Sequence, residues 1–372
     1  MSKRANREGT VFKRKDGKWV AQIDLGTGDD GRRRRKTRIA SRRADALAML
    51  KLLHQDAEAG VKITRGDRLG DYLRNWLDTI VDSSAPNTVA LYHNAIRNHV
   101  APYLGGVAVD KLTAVQVLGL QKAWSDAGVG RRTQQVALSV LKQALDEAVR
   151  LGLTKANPAA SVRKPRVERK KIDPFSVDEV KAILGAAKAD QLHYAAVALM
   201  LATGMRFGEV AGLSWGCVDL KAGTVKVEQQ ATTDAATGRV VIRRVKTDRS
   251  ERVIDLPQFA IDALVEHRAW TLKHGRAADE LVFLGARGAM LSNRNFAKRV
   301  WQPLLESAGV RLRSIHHCRH TFATLALSEG VPLPQVSGIL GHSRSSITLD
   351  IYSHWLPTHQ KAARDTLSRV IG

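Results

Sequence analysis

The chain has 372 residues, of which 44% are hydrophobic, and this composition predicts two or three globular domains that each bury a core. The two cysteines, Cys217 and Cys318, exclude a disulfide framework and favour free thiols in a reducing compartment. The sequence has neither a signal-peptide pattern nor an apolar run long enough to cross a bilayer, so we expect a cytoplasmic protein. The net charge of +23 favours a polyanionic partner, and nucleic acid is preferred over a membrane surface.

The first 62 residues predict a small α+β domain that contains a three-stranded sheet and one helix. Residues 1–65 contain 18 lysines and arginines against 8 aspartates and glutamates. Runs of β-forming residues alternate there with turn residues, and a longer helical pattern follows. The predicted elements are the strands Thr10–Phe12, Trp19–Ile23 and Arg32–Ile39 and a helix from Ser41 to about Ala59.

A basic run lies in the third of these strands. A solvated tail or a localisation signal would have the same composition, but the turn patterns on both sides favour a folded sheet that contacts DNA. The run consists of Arg32, Arg33, Arg34, Arg35 and Lys36.

Residues 66–155 predict an all-α domain, a bundle of four helices. Leu69, Leu73 and Trp76 recur at helical spacing in the first helix, and the others begin near Pro86, Thr113 and Arg131. Residues 156–173 then combine prolines with dense positive charge. That composition predicts a linker between domains and suits contact with a DNA backbone.

Residues 174–372 predict the largest domain, mainly α-helical with a small antiparallel β-sheet. Ser176 and Glu179 have the spacing of a capping box, which predicts the start of a helix. An apolar helix is predicted at about Leu192–Thr203, and helices dominate the C-terminal part. The predicted strands are Thr224–Val227, Val240–Arg243 and Arg252–Leu256.

The segment Thr203–Val210 places an arginine at a predicted helix start. Gly204 is expected to end one helix and Arg206 to begin the next, where outward-facing backbone N–H groups attract anions. Glu209 follows one turn later and is expected to hold the guanidinium. A capping ion pair with no catalytic role is the alternative for this segment.

Lys246 lies in a predicted turn between two strands, within the sequence Val245-Lys246-Thr247-Asp248. A lysine at a hairpin tip can reach into a cleft as a proton donor. Most turn lysines, however, are solvated surface charges. Lys246 alone therefore does not indicate a catalytic role, and only the neighbouring motifs favour one.

The sequence Ile315-His316-His317-Cys318-Arg319-His320 places His316 and Arg319 on one face of a helix, because they are three residues apart. His316 and His320 are four apart, which is also the spacing of two zinc ligands. A zinc helix of that kind requires a glutamate after the first histidine, and His317 occupies that position. We therefore expect no metal here.

Leu340-Gly341-His342 is followed, ten residues after His342, by Tyr352. Taken alone, Tyr352 is one more half-buried aromatic residue. A tyrosine hydroxyl has a pKa of about 10, so it becomes a nucleophile only in a positive pocket or beside a base.

Together these motifs suit attack on a phosphodiester. Two guanidinium groups match the non-bridging oxygens, where the transition state gathers negative charge. His316 would accept the proton of Tyr352, and Lys246 would protonate the departing 5′-oxygen. The arginines supply the charge of a metal, a phosphotyrosine link stores the energy of the broken bond, and no phosphate-binding loop motif is present. We therefore expect no metal, ATP or other cofactor.

The four motifs in this order resemble the tyrosine recombinases of the phage integrase family. Residues 66–155 resemble the family's core-site-binding domain, and residues 1–62 resemble the arm-site-binding domain of lambda-like integrases. The resemblance implies a catalytic domain at 174–372 and a site-specific recombinase that cleaves and rejoins DNA at attachment sites. It also implies a 3′-phosphotyrosyl intermediate, a Holliday junction, and integration or excision of a phage or other mobile element.

The resemblance also implies a role for each site residue. The implied roles are a phosphate clamp for Arg206 and Arg319, phosphate binding or proton transfer for His316 and His342, general acid for Lys246, a supporting carboxylate for Glu209, and nucleophile for Tyr352. Two positions depart from the family's pattern. Cys318 replaces the usual leucine, which we expect to affect packing alone, and His317 replaces a frequent aspartate, so a helix-start carboxylate is missing.

The partners implied by the resemblance are double-stranded DNA with core-type and arm-type sites, three further copies of the chain in a homotetramer, a host DNA-bending protein and an excisionase. The expected location is the cytoplasm of a bacterial host, at the nucleoid. Three alternatives remain open. They are a resolvase that dispenses with residues 1–65, a type IB topoisomerase that relaxes DNA as a monomer, and a DNA-binding regulator without cleavage.

Overall fold

A computed structural model of the chain describes residues 9–14, 17–27, 33–58, 66–167, 172–235, 237–245, 250–276 and 280–353, of which 24–27, 33–36 and 52–58 are described by their backbone alone. The chain divides into two compact units, Met1–Glu168 and Arg169–Gly372. None of the helices in these ranges combines the length and the apolar composition that crossing a lipid bilayer requires.

The N-terminal segment forms a three-stranded antiparallel sheet in the order β1-β2-β3. Ala21 and Ile23 of β2 are buried, and Met49 and Leu50 of helix α1 pack against them, so the helix covers one face of the sheet. The elements are β1 (Thr10–Lys13), β2 (Trp19–Thr27), β3 (Arg33–Ala40) and α1 (Arg43–Glu58). The predicted strands and helix are thus confirmed. In the basic run, Arg32 lies outside the described residues and Arg33, Arg34, Arg35 and Lys36 lie in β3.

The next part of this unit is helical, as predicted. Tyr72, Trp76 and Trp124 are buried in one core with the apolar face of the longest helix. The helix that begins at Pro86 contains a π-helical turn, Ile96–Val100, which joins two α-helical segments. The helices are α2 (Leu69–Ile80), α3 (Pro86–Ala95), α4 (Ala101–Leu104), α5 (Ala114–Asp126) and α6 (Arg131–Arg150).

The linker predicted at 156–173 is wrong over its described first part, residues 156–167. Ala159 and Val162 are buried in the core of the helical bundle. Lys142 of α6 donates a hydrogen bond to the carbonyl of Val162 at 2.8 Å. The prolines and positive charges of this segment predicted an exposed linker. The small apolar residues between them instead pack on α6, and polar side chains of α6 bind the backbone carbonyls of the segment. This segment therefore belongs to the helical bundle.

The second unit is mainly helical and is built around α8, which packs against α7, α10 and α13. Leu199 and Met200 of α8 are fully buried. The predicted capping box is confirmed at the start of α7. Glu179 accepts the backbone N–H of Ser176 at 2.8 Å, and the backbone N–H of Glu179 donates to the serine hydroxyl. The helices are α7 (Val177–Ala187), α8 (Tyr194–Thr203), α9 (Phe207–Ala211), α10 (Gln258–Lys273), α11 (Asn293–Phe296), α12 (Gln302–Ser307), α13 (His316–Ser328), α14 (Leu333–Leu340) and α15 (Ser345–Tyr352).

The β-strands of this unit form two small antiparallel sheets, ordered β4-β5-β8 and β6-β7. In register, Val227 pairs with Arg252 and Gln229 pairs with Arg244. The strands are β4 (Val218–Asp219), β5 (Thr224–Val227), β6 (Gln229–Thr233), β7 (Val240–Arg244) and β8 (Arg252–Asp255).

The prediction for Lys246 is not tested by the structure. The strands β7 and β8 lie on either side of this segment, as predicted. Residues 246–249 themselves lie outside the described residues.

Candidate active site

Arg206 lies at the turn between α8 and α9, as predicted. Gly204 ends α8 in the left-handed conformation, with a φ of 63°, and Arg206 caps the next helix with extended backbone angles. Glu209 accepts the backbone N–H of Arg206 at 2.8 Å and its Nη1 at 2.8 Å. The side chain of Arg206 remains 39% exposed, so its guanidinium is held in place and still faces solvent.

Glu209 is a buried carboxylate between two arginines, and sequence reasoning identified only one of them. Besides Arg206, Arg252 at the start of β8 donates its Nη2 to Glu209 at 2.8 Å. Burial acts to raise the pKa of Glu209, but the hydrogen bond and charge of Arg252, followed by those of Arg206, lower it below its usual value. The carboxylate is therefore charged at neutral pH and orients Arg206.

Arg319 occupies the buried centre of the site on α13. Its Nη1 donates to the carbonyl of Gly204 at 3.0 Å and its Nη2 to the carbonyl of Leu340 at 2.7 Å, so it joins the turn before Arg206 to the turn before His342. Burial and the positive charge of Arg206 lower the pKa of Arg319 to about 9, which leaves it charged at neutral pH. A guanidinium has about five N–H donors, so these two bonds do not exhaust it.

His316 and His342 belong to the same site. His316 is the first residue of α13 and is exposed, and loss of solvation together with the charges of Arg319 and Arg206 lowers its pKa. Nδ1 of His342 lies 2.7 Å from the hydroxyl of Thr348. Burial, followed by the charges of the same two arginines, lowers the pKa of His342 to about 4. Both histidines are therefore neutral at pH 7.

Tyr352 ends α15 and is 1% exposed. Its hydroxyl lies 2.7 Å from Nδ1 of His320, a hydrogen bond that joins the last described helix to α13. Burial raises the pKa of Tyr352 to about 12, and the charge of Arg319 acts in the opposite direction. Burial, followed by the nearby histidines, lowers the pKa of His320 to about 4.

The proton acceptor predicted for Tyr352 was His316, and the structure instead places His320 at its hydroxyl. The two rings lie edge to face with centroids 4.8 Å apart, so His316 is a neighbour of the acceptor. Sequence reasoning considered His320 only as a zinc ligand. The four-residue spacing that raised that idea is also the signal that both rings share one helix face.

Among the described residues, no group of three or more His, Cys, Asp or Glu side chains is placed to hold a metal ion. Cys318 is buried in the core of the second unit, in agreement with the packing role expected for it. Burial raises the pKa of its thiol. His317 lies beside Ser314, whose hydroxyl is 3.0 Å from the ring Nδ1.

A cleft with a volume of about 320 Å³ opens beside Arg206 and His316. Thr233, Ser292 and Asn293 are among the other residues that line it. The lining is rich in hydrogen-bond donors, and its charged member is an arginine. Such a surface suits a phosphodiester backbone.

The described site thus gathers Arg206, Glu209, His316, Arg319, His342 and Tyr352, and adds Arg252 and His320. Lys246 and Arg32 lie outside the described residues, and the side chains of Arg33 to Lys36 are not described. Two arginines, neutral histidines and a tyrosine in one site suit attack on a phosphodiester.

Each unit of the chain contains a match to a family model. The model of the phage integrase family matches residues 174–359. The model of the N-terminal SAM-like domain of phage integrases matches residues 68–125.

Relatives that match over most of the chain give the same result. The chain is 28% identical to a XerC-like tyrosine recombinase of Caldanaerobacter subterraneus subsp. tengcongensis, over 93% of this chain and 94% of that protein. It is 29% identical to an integrase of Streptomyces ambofaciens, over 95% and 94%. It is 31% identical to the tyrosine recombinase XerC of Corynebacterium efficiens, over 72% and 80%. The chain therefore belongs to the phage integrase family, and it is a tyrosine-type site-specific DNA recombinase.

Solved structures share the fold at low sequence identity. The Tn1549 transposon integrase in complex with a circular intermediate DNA has a TM-score of 0.69 and 18% identity, and the match covers 82% of this chain and 99% of that one. The lambda integrase in a tetramer bound to a Holliday junction has a TM-score of 0.58 and 16% identity, over 96% and 97%. The mainly helical architecture with small antiparallel sheets is thus that of tyrosine integrases.

Proposed function

We propose that Tyr352 attacks a phosphodiester of an attachment site and forms a 3′-phosphotyrosyl link to the DNA. The observation that carries this proposal is the hydrogen bond between Tyr352 and His320, one residue from Arg319 on α13. Arg319 in turn contacts the turns that carry Arg206 and His342. One helix thus connects the nucleophile, its hydrogen-bond partner and both ends of the clamp.

Arg206 and Arg319 bind the non-bridging oxygens of the scissile phosphate in this proposal, and His316 and His342 add hydrogen bonds. Negative charge grows on those oxygens as the tyrosine oxygen approaches phosphorus, and fixed guanidinium groups stabilise it without reorganisation. Glu209 and the two carbonyls that Arg319 contacts hold the clamp in place before DNA binds. Preorganised charge of this kind takes the place of a metal ion.

Two proton transfers balance the reaction. The phenol proton of Tyr352 passes to Nδ1 of His320, which requires the tautomer that has its proton on Nε2. As the phosphorus–oxygen bond to the 5′ side breaks, Lys246 donates a proton to that oxygen and a free 5′-hydroxyl leaves. Attack by a 5′-hydroxyl of a second strand then reverses both transfers, rejoins the DNA and releases Tyr352.

At the scale of the assembly, we propose that four chains on DNA exchange strands pairwise through a Holliday junction and thereby integrate or excise a mobile element. Residues 66–155 would bind core-type sites and residues 1–62 arm-type sites, including contacts from the basic run in β3. A host DNA-bending protein and an excisionase would set the direction. The reaction would take place at the bacterial nucleoid without metal or ATP.

The experiment uses two plasmids, one with two attachment sites located by footprinting the protein on DNA that flanks its gene, and one without sites. Both are incubated with the protein in EDTA and without nucleotide. The proposal predicts deletion or inversion between the sites, and no change in the control plasmid. Relaxation of the control plasmid without joined sites would instead identify a type IB topoisomerase, and binding without either product would identify a regulator.

A further inference from the structure

Arg252 has a place in the site that none of the motifs assigned to it. It is the first residue of β8, and its side chain is only 7% exposed. Its Nη2 and Nη1 donate to the two oxygens of Glu209 at 2.8 and 3.3 Å. Its Nε donates to the carbonyl of Ile339 at 2.5 Å, and Nη1 also donates to the carbonyl of Ser250 at 3.0 Å. One guanidinium therefore binds three separate segments.

Two of these segments carry residues of the proposed site, Arg206 and His342. Glu209 holds Arg206 through its backbone and its side chain. Ile339 lies in the last turn of α14, three residues before His342. Arg252 thus links the support of one phosphate-binding group to the turn that presents another, over sequence separations of 43 and 87 residues.

Gly341 fits against the same guanidinium. This glycine ends α14 in the left-handed conformation, with a φ of 65°, and a Cβ added to it would lie 2.9 Å from Nη1 of Arg252. Contact at that distance requires a neighbour to shift. The backbone immediately before His342 is therefore packed directly on Arg252.

The charges around Glu209 explain what Arg252 does there. Each oxygen of this buried carboxylate accepts from both arginines, because Oε1 binds the two Nη1 groups while Oε2 binds the backbone of Arg206 and Nη2 of Arg252. Without Arg252, Arg206 would be the remaining cation of this pair. The carboxylate would attract it more strongly and draw its guanidinium away from solvent.

We infer that Arg252 is a positioning residue for the recombination reaction, which keeps Arg206 directed toward the phosphate and fixes the turn that presents His342. The inference rests on the proposed function, because it assumes that Arg206 and His342 act on the scissile phosphate. Arg252 acts through these residues and does not touch the DNA. Its loss therefore affects the chemical step and leaves the affinity for DNA nearly unchanged.

Arg313 provides a matched control for a purely structural arginine. Its side chain is 8% exposed, and it donates to Asp173 at 2.7 Å and to Glu179 at 2.8 Å. Arg313 is thus buried to nearly the same degree as Arg252 and is also paired with carboxylates, but Asp173 and Glu179 are 44% and 27% exposed and are not residues of the proposed site. Arg313→Gln measures the effect of removing a buried, paired arginine on the fold of the second unit.

The experiment measures single-turnover formation of the covalent adduct at saturating protein, with Arg252→Gln, Arg252→Lys, Arg313→Gln and the unchanged protein. One nicked attachment-site duplex has an ordinary scissile phosphate, and a second has a neutral methylphosphonate at that position. DNA affinity and melting temperature are measured for each variant. A neutral phosphonate gathers less negative charge and depends less on a correctly placed cation.

The expected result for Arg252→Gln is a rate on ordinary DNA lower by about 30-fold, with DNA affinity within about twofold, because small displacements of catalytic groups cost about this much. On the methylphosphonate duplex the deficit shrinks to about threefold or less. Arg252→Lys keeps the positive charge but lacks the planar guanidinium with its several donors. Its rate on ordinary DNA is therefore expected to lie between that of Arg252→Gln and that of the unchanged protein. Arg313→Gln has an unchanged rate per folded molecule on both duplexes.

Three results would overturn the role of Arg252. They are an unchanged rate in Arg252→Gln, an equal deficit on both duplexes, and an equal slowing by Arg313→Gln. If Arg252→Gln does not fold, Arg252→Lys is compared with Arg313→Gln in the same way and decides the question. Failure of the unchanged protein to form any adduct on ordinary DNA would contradict the proposed function itself, and with it this role.

Discussion

At the scale of single residues, the site keeps Tyr352, the proposed nucleophile, protonated before DNA binds. Burial raises the pKa of Tyr352 to about 12 and lowers that of its partner His320 to about 4, so the proton stays on the tyrosine in the free protein. A bound phosphate adds negative charge beside His320 and makes it a stronger base. Substrate binding thus favours the proton transfer that the reaction needs.

The first prediction distinguishes the two histidines of α13 as proton acceptors. His320→Ala removes the group that hydrogen-bonds Tyr352, so adduct formation is expected to slow by about 100-fold, a usual value for a lost general base. His316→Ala removes a phosphate ligand and is expected to cost less, about 10-fold. Rapid-quench measurement of adduct formation checks this order, and a larger loss with His316→Ala would restore the assignment made from the sequence.

The second prediction concerns stability against pH. The unfolded chain binds protons on His320 and His342 as the pH falls below about 6.5, whereas the folded protein does so only near 4. Their contribution to stability is therefore complete above pH 6.5 and is lost between 6.5 and 4. The melting temperature should fall through this window. The melting temperature of the double variant His320→Gln, His342→Gln should fall less over the same window. An identical decline in the variant and the unchanged protein would contradict the lowered pKa values of the two histidines.

At the scale of elements, local patterns predicted the individual turns well. Gly204 and Arg206 lie within three residues of each other, so a helix end followed by a helix start was visible in the sequence. The role of Arg252 was not, because its partners are 43 and 87 residues away. Long-range hydrogen bonds of this kind leave no periodic signal.

The error at this scale concerns the predicted linker. The segment 156–167 has linker composition, yet two small apolar residues and the side chains of α6 hold it against the bundle. Composition and strand propensity predict whether a segment is extended or irregular, but not which neighbour it pairs with.

The third prediction tests the left-handed end of α14. Gly341→Ala introduces unfavourable backbone angles and a Cβ at 2.9 Å from Arg252, whereas Gly330→Ala, at a φ of 84°, introduces the unfavourable angles into open space. Backbone strain alone costs about 1–2 kcal/mol. Gly341→Ala should therefore destabilise more and also slow cleavage. Urea unfolding and adduct assays check both effects, and equal stability loss with unchanged cleavage would contradict the packing described here.

At the scale of the whole molecule, positive charge is distributed along the chain but is densest in the N-terminal part. The first 65 residues carry 18 basic against 8 acidic side chains. Contacts with phosphates release counterions, so binding by this segment should depend steeply on salt. In the proposed function, separate DNA-binding segments would let one chain hold two DNA sites at once, as an integrase requires and a simple resolvase does not.

The fourth prediction is that deletion of residues 1–65 abolishes binding to arm-type DNA and preserves binding and cleavage at core-type DNA. The bundle at 66–167 has its own buried core, so the shortened chain is expected to remain folded. Gel shifts at several salt concentrations should show a smaller salt dependence after deletion. Loss of core-site binding with retained arm-site binding would reverse the domain roles proposed here.

The most direct test of the central claim is the position of the covalent link. The protein is incubated with nicked attachment-site duplex labelled at the 5′ end of the scissile strand, digested with protease, and the DNA-linked peptide is sequenced by mass spectrometry. The account predicts that the 5′-labelled fragment is attached through its 3′-phosphate to Tyr352 and that Tyr352→Phe forms no adduct while still binding the DNA. An adduct on another residue, or one that persists in Tyr352→Phe, would contradict it.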